Sequence, residues 1–397
     1  MIEYIPIILA GVVVGVFTGL VPGIHPNTVI FGSMPFYFGS GIDFLSYLSF
    51  IAGLSVSHTF HDFLPAIFLS APEADAALSS IPGTEMASEG RGIEAFYYTV
   101  AGGIFSVIVF LFMAPVLFLG LKSIYGFFEP LMAVILLFFL VLMIVESNSV
   151  LTSLPVVVLS GSLGLISFDM PINQQYLLLP VFTGLFAIPA VIRTIGDHEK
   201  IPEQNKPQVD SKTAARGGIL GFIAGLIAGI FPGLGSAAST SFLSPLMKDS
   251  EVEFLAGNGG VNTTDILMSF LAVFVLGKAR SGASVALKSL SQIKAPEVFF
   301  LLGGSILAVS VSAPLAIQVS PIFVNLVGKI KLKPVLILVL VIIFCSTFFL
   351  TGFLGILILL TASMIGYASI LAGERKLCMA VLLVPSILFF SNAGMFI

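Results

Sequence analysis

The amino-acid sequence predicts an all-α polytopic membrane protein with two inverted repeats and about 10–12 transmembrane helices, including broken or re-entrant segments. The chain has 397 residues, of which 57% are hydrophobic and only 10% are charged, and its mean hydropathy is +1.10. A soluble domain carries about 25% charged residues, so this composition indicates a membrane protein. Two internal patterns, a polar stretch that halves the chain and a repeated glycine–proline spacing, predict the two repeats.

Uncharged runs predict where the membrane helices lie. A helix needs about 20 apolar residues to cross the hydrocarbon core of a bilayer. The run 334–373 is long enough for two crossings, with a predicted break at Thr351–Gly352. Each half has four such helices after its first segments. The predicted positions are 93–120, 131–146, 150–168 and 176–193, and then 296–318, 334–350, 353–371 and 377–395.

One polar stretch, residues 193–216, divides the chain. Its mixture of charges, prolines and amides is typical of a solvated linker. We predict a first transmembrane repeat at 1–195, a linker at 196–214 and a second transmembrane repeat at 215–397. The Lys and Arg residues of this stretch place it in the cytoplasm by the positive-inside rule. Counting crossings outward from the linker puts both termini outside, which makes the two repeats inverted.

Two segments carry the same pattern of helix-breaking residues, GVVVGVFTGLVPGIHPNTVIFGSMP at 11–35 and GFIAGLIAGIFPGLGSAASTSFLSP at 221–245. Proline removes a helix donor, and glycine permits otherwise forbidden backbone angles. In lipid, the freed backbone groups survive only where protein or a water-filled cavity satisfies them. We therefore predict a helix break lining a cavity in each half. The alternative is that these small residues only permit close helix packing. The shared residues are Gly11, Gly15, Gly19, Pro22, Gly23 and Pro35, matching Gly221, Gly225, Gly229, Pro232, Gly233 and Pro245.

Polar residues follow both predicted breaks. Asn27, Thr28 and Ser236 are residue types that cap helix N-termini, so we predict that new helices start there with their N–H groups directed at the breaks. Two such N-termini facing one another would bind an anion through free N–H groups and the positive ends of the helix dipoles. The predicted substrate-binding residues are Gly23, His25, Asn27, Thr28, Gly233, Gly235, Ser236, Ser239, Lys278 and Arg280.

A second internal match, FIAGLSVSHTFHD at 50–62 and FLAGNGGVNTTD at 254–265, ends each segment on an acid. An ionisable residue at the bilayer centre costs about 2.5–3.5 kcal/mol, so a function is the default expectation. Asn, Thr and Asp oxygens suit Na⁺, whereas His with Asp suits proton transfer. Two alternatives stay open, namely a zinc site on the two histidines and the first acid, and hydrogen bonds that only join helices. The predicted coupling-ion residues are His58, His61, Asp62, Asn258, Asn262, Thr263 and Asp265.

The two halves differ in charge after these polar segments. The first half has Glu73 and Asp75 where the second half has Lys278 and Arg280. The acids and bases could pair across a pseudo-two-fold axis, or the two bases could attract an anionic substrate. A third explanation is a pair of solvated hairpin tips at the membrane surface.

The segment LSAPEADAALSSIPGTEMASEGRGIEA (69–95) resembles a signature of the large membrane subunit of the tripartite tricarboxylate transporters, LNIPGTPASAATALDGYPLARQGRAGEA. The second signature of that family resembles PGLGS (232–236), Asn262 and Leu276–Gly277. The resemblance implies uptake of a carboxylate such as citrate, driven by a cation gradient, with a periplasmic receptor and a small membrane subunit as partners. The residues of 69–95 that match the first signature are Leu69, Pro72, Gly83, Ala87, Gly90, Arg91, Glu94 and Ala95.

These patterns predict a secondary transporter of the plasma membrane that moves a small organic anion, a di- or tricarboxylate, coupled to a cation gradient. We predict no enzymatic activity, no metal and no cofactor, with Na⁺ or H⁺ as the coupling ion. The predicted partners are the anion, the lipid bilayer, a small membrane subunit and an extracytoplasmic binding protein, with a homodimer left open and no nucleic acid. Three rivals remain: a polyprenyl-phosphate flippase, to which the paired breaks are loosely similar, an intramembrane metalloenzyme, and a non-transporting assembly subunit.

Overall fold

The protein is described by a computed structural model, and the described part is helical apart from turns and short irregular segments, with no strand in it. This confirms the predicted all-α class. The described residues are 2–21, 26–69, 80–145, 147, 149–172, 174–189, 191–192, 202–230, 236, 239–240, 246, 251–277, 283–284, 287–288, 294–329 and 332–393.

Fourteen α-helices of six or more residues carry the labels used below, counted within the described residues. A π-helix, Thr183–Ala187, continues α9. The helices are α1 (Ile5–Leu20), α2 (Pro26–Ser40), α3 (Phe44–His61), α4 (Phe63–Phe68), α5 (Ser80–Ser88), α6 (Gly92–Phe128), α7 (Met132–Val145), α8 (Val150–Phe168), α9 (Gln174–Phe182), α10 (Ser211–Ile230), α11 (Glu251–Leu276), α12 (Ala295–Lys329), α13 (Leu332–Leu371) and α14 (Ala380–Ala393).

Seven helical stretches of the described part are long and apolar enough to cross a membrane, which confirms a multi-pass membrane protein. Three of them are much longer than one crossing requires: Gly92–Val145 contains both α6 and α7, Ala295–Lys329 has 35 residues, and Leu336–Leu371 contains a kink. The kink lies at Gly352, whose φ of 66° and ψ of −158° are open to glycine but strained for other residues. The predicted break at Thr351–Gly352 is therefore confirmed.

The shared glycines form a close helix–helix contact in each half. In the first half α1 lies against α3: a Cβ added to Gly15 would stand 2.6 Å from the Leu54 carbonyl oxygen, and one added to Gly19 would stand 2.6 Å from the His61 Cβ. In the second half α10 lies against α11 in the same way, with Gly221 against the Gly257 carbonyl and Gly225 against Thr264. The close-packing interpretation of these glycines, kept as an alternative above, is thus correct.

These contacts also fix which residues of α3 and α11 are equivalent. Gly15 meets Leu54 and Ser57, whereas its counterpart Gly225 meets Val261 and Thr264. The contacts therefore pair each residue of α3 with the α11 residue three positions later than the one that the sequence match suggested. In this contact register Ser57 corresponds to Thr264.

The same register pairs His58 with Asp265 and His61 with Met268. The equivalence of Asp62 with Asp265, suggested by the acids that end the matching segments, is wrong by about one helical turn, because Asp62 corresponds to Ser269 in this register.

Helices of each half pack against the opposite half. From the first half, α6 lies on α10 and α11, with Gly102 directly against the carbonyl of Ala256 and Gly259 against that of Thr99. Reciprocally, α12 of the second half lies on α1 and α3. The outer helices also pack across the two halves: α8 packs on α14, and the second part of α13 packs on the π-helix. The two predicted repeats are therefore interlocked, and neither forms its interior alone.

We expect Gly102→Ala to destabilise the protein strongly, because the added methyl would overlap the Ala256 carbonyl oxygen. Overpacking of this kind costs about 1–3 kcal/mol or more. The matched control is Gly126→Ala in the same helix, where nothing lies within 4 Å of an added Cβ. Thermal unfolding of the two purified variants should give a clearly lower Tm for the first and an unchanged or higher Tm for the second, since Ala favours helix. Equal melting temperatures would contradict the close α6–α11 contact.

The predicted solvated linker is a bound strap in its described part. Residues 202–210 have no regular secondary structure. The Gln204 side chain accepts a hydrogen bond from the Gly92 N–H at 2.7 Å and donates one to the Ala87 carbonyl at 3.2 Å. The Asn205 N–H donates to the Gly90 carbonyl at 2.7 Å. The strap thus caps the first turn of α6, while most of its residues remain exposed.

The helix after the strap begins earlier than predicted. The Asp210 carboxylate accepts a hydrogen bond from the Thr213 N–H at 2.9 Å, which makes it the N-cap of α10. Its bonds to the Thr213 hydroxyl and N–H hold the pKa of Asp210 below its usual value. The first turn of α10, from Ser211, therefore lies inside the stretch 196–214 that was predicted as linker.

Candidate functional site

Helix α1 ends just before Pro22, as predicted: its last residue is Leu20, and the Val21 N–H still bonds to the Phe17 carbonyl. The described part of α10 reaches Ile230, and residues 231–235 lie outside the described residues. Helix α2 begins at Pro26, so Asn27 and Thr28 lie inside its first turn and the N-cap prediction for them is wrong. The physical reason is that proline lacks an N–H and has a fixed φ, which suit the first position of a helix.

Several predicted site residues lie outside the described residues. The side chains of Asn27 and Thr28 are also outside them. The roles predicted for the acids of the first half and the bases of the second half therefore stay predictions. The residues concerned are Gly23, His25, Glu73, Asp75, Gly233, Gly235, Lys278 and Arg280.

The end of α1 is hydrogen-bonded to a buried polar group on α3. The Thr18 hydroxyl contacts the His58 Nδ1 at 3.0 Å and donates to the Gly15 carbonyl at 3.1 Å. The His58 Nε2 lies 4.0 Å from the Asp62 Oδ2. That same carboxylate oxygen accepts a hydrogen bond of 2.9 Å from the Asn262 Nδ2 on α11. The four side chains are at most 4% exposed, and the last bond joins the two halves of the chain.

A second set of bonds ties the segment after the second break to the same helix, α11. The Ser236 hydroxyl donates to the Asp265 Oδ2 at 3.0 Å. The Thr240 hydroxyl lies 3.0 Å from the Asn258 Oδ1 and 2.8 Å from the Ser236 carbonyl. Asn258, Asn262 and Asp265 share one face of α11, because they are spaced four and three residues apart. Asp265 is partly exposed, whereas Asn258 is fully buried.

The two sets of bonds form one central cluster between the interrupted helices. It contains two carboxylates and one imidazole, surrounded by hydroxyls and amides. Groups of this kind at membrane depth are expensive, and they usually mark solute or ion pathways. The central cluster is defined as Thr18, His58, Asp62, Ser236, Thr240, Asn258, Asn262 and Asp265.

Three further predicted residues lie beside the central cluster and not in it. The Thr263 hydroxyl bonds to the Gly259 carbonyl of its own helix at 3.1 Å, and it faces Gly103 of α6. The His61 Nδ1 lies 2.7 Å from the Ser57 carbonyl. Ser239 is fully buried, and its hydroxyl has no hydrogen-bond partner in the described part of the chain.

The zinc interpretation finds no ligand set. Within the described residues, no group of three or more His, Cys, Asp or Glu side chains is arranged to hold a metal ion. His58 and Asp62 are neighbours, but the Nδ1 of His61 is occupied by a backbone carbonyl. The geometry therefore gives the metalloenzyme alternative no support in this part of the molecule.

Two members of the central cluster, Thr18 and Thr240, were missed by the sequence reasoning. Isolated hydroxyls in an apolar helix are usually satisfied by the preceding turn, so neither is conspicuous. The available signal was their position, because Thr18 is four residues before Pro22 and Thr240 is four residues after Ser236. Polar residues one turn away from a helix break lie where they can contact whatever the break encloses.

The last part of the signature segment, residues 87–92, forms the turn on which the strap lies. Arg91 and Glu94 form an ion pair of 2.6 Å at the first turn of α6. Gly90 has a φ of 79°, and an added Cβ there would stand 2.9 Å from the Glu203 carbonyl oxygen. Glycine at this position thus permits both the left-handed turn and the close approach of the strap.

Comparison with known proteins gives one family and two relatives. The profile of the tripartite tricarboxylate transporter TctA family matches residues 5–380. An uncharacterized protein of Methanocaldococcus jannaschii is 27% identical over 407 aligned positions, which cover 96% of this chain and 98% of that protein. An uncharacterized 52.8 kDa protein of Agrobacterium vitis is 24% identical over 299 positions, covering 67% of this chain and 59% of that one. No solved structure matches the chain.

Proposed function

The chain belongs to the tripartite tricarboxylate transporter TctA family, and on that premise we propose that it carries a di- or tricarboxylate across the plasma membrane together with a coupling cation. Family membership makes it a multi-pass component of a transporter that has other subunits and a binding protein. Membership in this family favours transport and not catalysis. The identity of the carboxylate, the coupling ion and a homodimeric state are parts of the proposal.

The observation that carries the proposal is the central cluster. Its first set of contacts runs from the last turn of α1 to His58, whose Nε2 lies 4.0 Å from Asp62, and crosses from Asp62 to Asn262 on α11. Its second set joins Ser236 to Asp265 on the same helix. Paired helix interruptions near the midplane, joined by polar side chains, are the usual form of a binding site in secondary transporters. Helices that only needed packing would not require a buried carboxylate, Asp62, and a partly exposed one, Asp265, between them.

We place the anion at the two breaks. The first turn of α2 leaves the N–H groups of Asn27, Thr28 and Val29 without helical acceptors, and this end of a helix attracts negative charge. The Ser239 hydroxyl, which has no hydrogen-bond partner in the described part of the chain, provides a short donor at the second break. The two bases of 278–280 would add attraction for a carboxylate, and this role stays a prediction.

We place the coupling cation beside the second break. Oxygen atoms of Ser236, Thr240, Asn258 and Asp265 lie within one connected set of hydrogen bonds, and they include one carboxylate. Hard cations such as Na⁺ prefer oxygen ligands of this kind. The equivalent position in the first half holds His58 beside Asp62, where a proton would fit better than a metal ion. Na⁺ at the second half is therefore the favoured assignment, and H⁺ is the alternative.

Transport would proceed by movement of one repeat element against the rest. The packing of α6 on α11 and the packing of α12 on α3 are two reciprocal contacts between the halves. Such a motion would break and re-form them. The energy would come from the ion gradient. The rival function, a polyprenyl-phosphate flippase, needs a groove open to lipid, whereas Asp62 and Asn258 are at most 2% exposed.

The proposal is tested by thermal stabilisation of the purified full-length protein. Succinate, citrate, tricarballylate and a prenyl phosphate would each be added with Na⁺ or with choline as the cation. A ligand that binds only the folded state raises the Tm in proportion to its occupancy. We expect the carboxylates to raise the Tm, and to do so more strongly in Na⁺. A response to the prenyl phosphate alone would replace the carboxylate proposal with the flippase.

A further inference from the structure

His61 has a buried nitrogen that the proposed cation site does not use. The residue lies in the last turn of α3 and is fully buried. Its Nδ1 is 2.7 Å from the Ser57 carbonyl oxygen, and its Nε2 has no hydrogen-bond partner within the residues that the structure describes. An unsatisfied polar atom at this depth is costly, so a group that binds to it would recover free energy.

The tautomer of His61 follows from its one hydrogen bond. A carbonyl oxygen can only accept, so the Nδ1 must carry the proton that it donates to Ser57. A fully buried imidazole without a carboxylate partner is stable in its neutral form. In that form the Nε2 carries a lone pair and is an acceptor. The missing partner is therefore a hydrogen-bond donor.

The position of His61 indicates what could supply that donor. An added Cβ on Gly19 would stand 2.6 Å from the His61 Cβ, which places the imidazole beside the last turn of α1. The helix ends one residue later, at Leu20. His61 therefore packs against the last described turn of α1, beside the end of that helix.

The second half provides an internal comparison. The residue in the contact register of His61 is Met268, whose Cβ lies against Gly229 as that of His61 lies against Gly19. Met268 is fully buried, and its thioether is at best a weak acceptor. A strong acceptor is therefore present beside the first break and absent from the equivalent position on α11. A solute that carries a donor on one side would be oriented by this difference.

We propose that the His61 Nε2 accepts a hydrogen bond from a hydroxyl group of the transported carboxylate, which makes the substrate a hydroxy acid. This inference rests on the proposed function, because it assigns a specificity-determining residue to the same site. N–H groups and hydroxyls of the protein at the breaks bind the carboxylates of the solute. The imidazole of His61 accepts a hydrogen bond from the hydroxyl of the solute. A site built around a buried acceptor discriminates against the analogue that lacks the donor, since binding the analogue leaves the acceptor unpaired.

The test uses two pairs of acids that differ by one hydroxyl, malate against succinate and citrate against tricarballylate. Their dissociation constants would be measured by calorimetry on the full-length protein in lipid nanodiscs with Na⁺. In the wild type we expect the hydroxylated member of each pair to bind about tenfold more tightly or better. In His61→Met, the residue found at the equivalent position on α11, that ratio should fall to about one while the affinity for succinate and tricarballylate is kept. Met268→Leu serves as the control and should keep the wild-type ratio.

The outcomes separate the two proposals. Equal binding of both members of each pair by the wild type overturns the role of His61 and leaves carboxylate transport standing, and this result needs no variant to fold. A folded His61→Met protein that keeps the preference also overturns the role. Binding of none of the four acids would remove the proposed function, and the inference with it.

Discussion

Asp265→Asn should remove the Na⁺ dependence of transport and leave the fold intact. The substitution keeps the size of the side chain and an oxygen that can accept from the Ser236 hydroxyl, which lies 3.0 Å away. It removes the carboxylate charge from the predicted cation site. We expect Na⁺ to bind about 30- to 100-fold more weakly, equivalent to about 2–3 kcal/mol, because bonds to an ionised partner are the strong ones. The measurement is citrate uptake by proteoliposomes against Na⁺ concentration, with the Tm of each protein recorded.

Asp210→Asn is the matched control, because Asp210 is an exposed carboxylate that caps α10. It should leave the Na⁺ dependence of uptake unchanged. Because the pKa of Asp210 is lowered in the folded state, its stabilising contribution is present at neutral pH and is lost as the pH falls through that pKa. A normal Na⁺ response in Asp265→Asn would refute the proposed role of this carboxylate.

Asn262→Leu should destabilise the protein by about 2–4 kcal/mol, because a buried carboxylate would lose a hydrogen-bond donor. The lost bond is the one of 2.9 Å to Asp62 that joins the two halves. The double variant Asp62→Leu with Asn262→Leu should regain most of the stability, since replacing both partners by apolar groups is nearly neutral. Uptake should be absent from both proteins. The measurement is chemical unfolding of four proteins: the wild type, Asn262→Leu, Asp62→Leu and the double variant. Together they form a double-mutant cycle that gives the coupling energy between Asp62 and Asn262.

Thr263→Val provides the control for this second prediction. Thr263 is the neighbour of Asn262, but its hydroxyl bonds only within its own helix in the described geometry. We expect a change in stability below about 1 kcal/mol and normal uptake. A coupling energy near zero in the cycle, or loss of Na⁺ dependence in Thr263→Val, would contradict the arrangement of the central cluster.

The sequence was sufficient where single residues decide local structure. Proline and glycine determine where a helix can continue, so the end of α1 before Pro22 and the kink at Gly352 were predicted correctly. Hydropathy located the long helices for a similar reason, because the length of an apolar run decides whether it can span a bilayer. The N-cap assignment failed at Asn27 because Pro26 suits the first position of a helix, so the helix already includes Asn27.

The sequence was insufficient where a residue acquires its role from a partner in another helix. The register between α3 and α11 depends on which side chains meet Gly15 and Gly225, and several alignments of small residues explain the sequence equally well. The bond between Asp62 and Asn262 depends on the interlocking of the two halves. Hydropathy and spacing carry no information about either contact. The binding of the strap through Gln204 was missed for the same reason.

The most direct test of the account is a map of the protein in nanodiscs with citrate and Na⁺ bound. The account predicts that both solutes lie between the interrupted helices, with citrate bordered by the first turn of α2 and Ser236, and Na⁺ beside Asp265. Helices that run without interruption through Pro22 and Pro232, or citrate bound at the membrane surface away from Asp265, would contradict it.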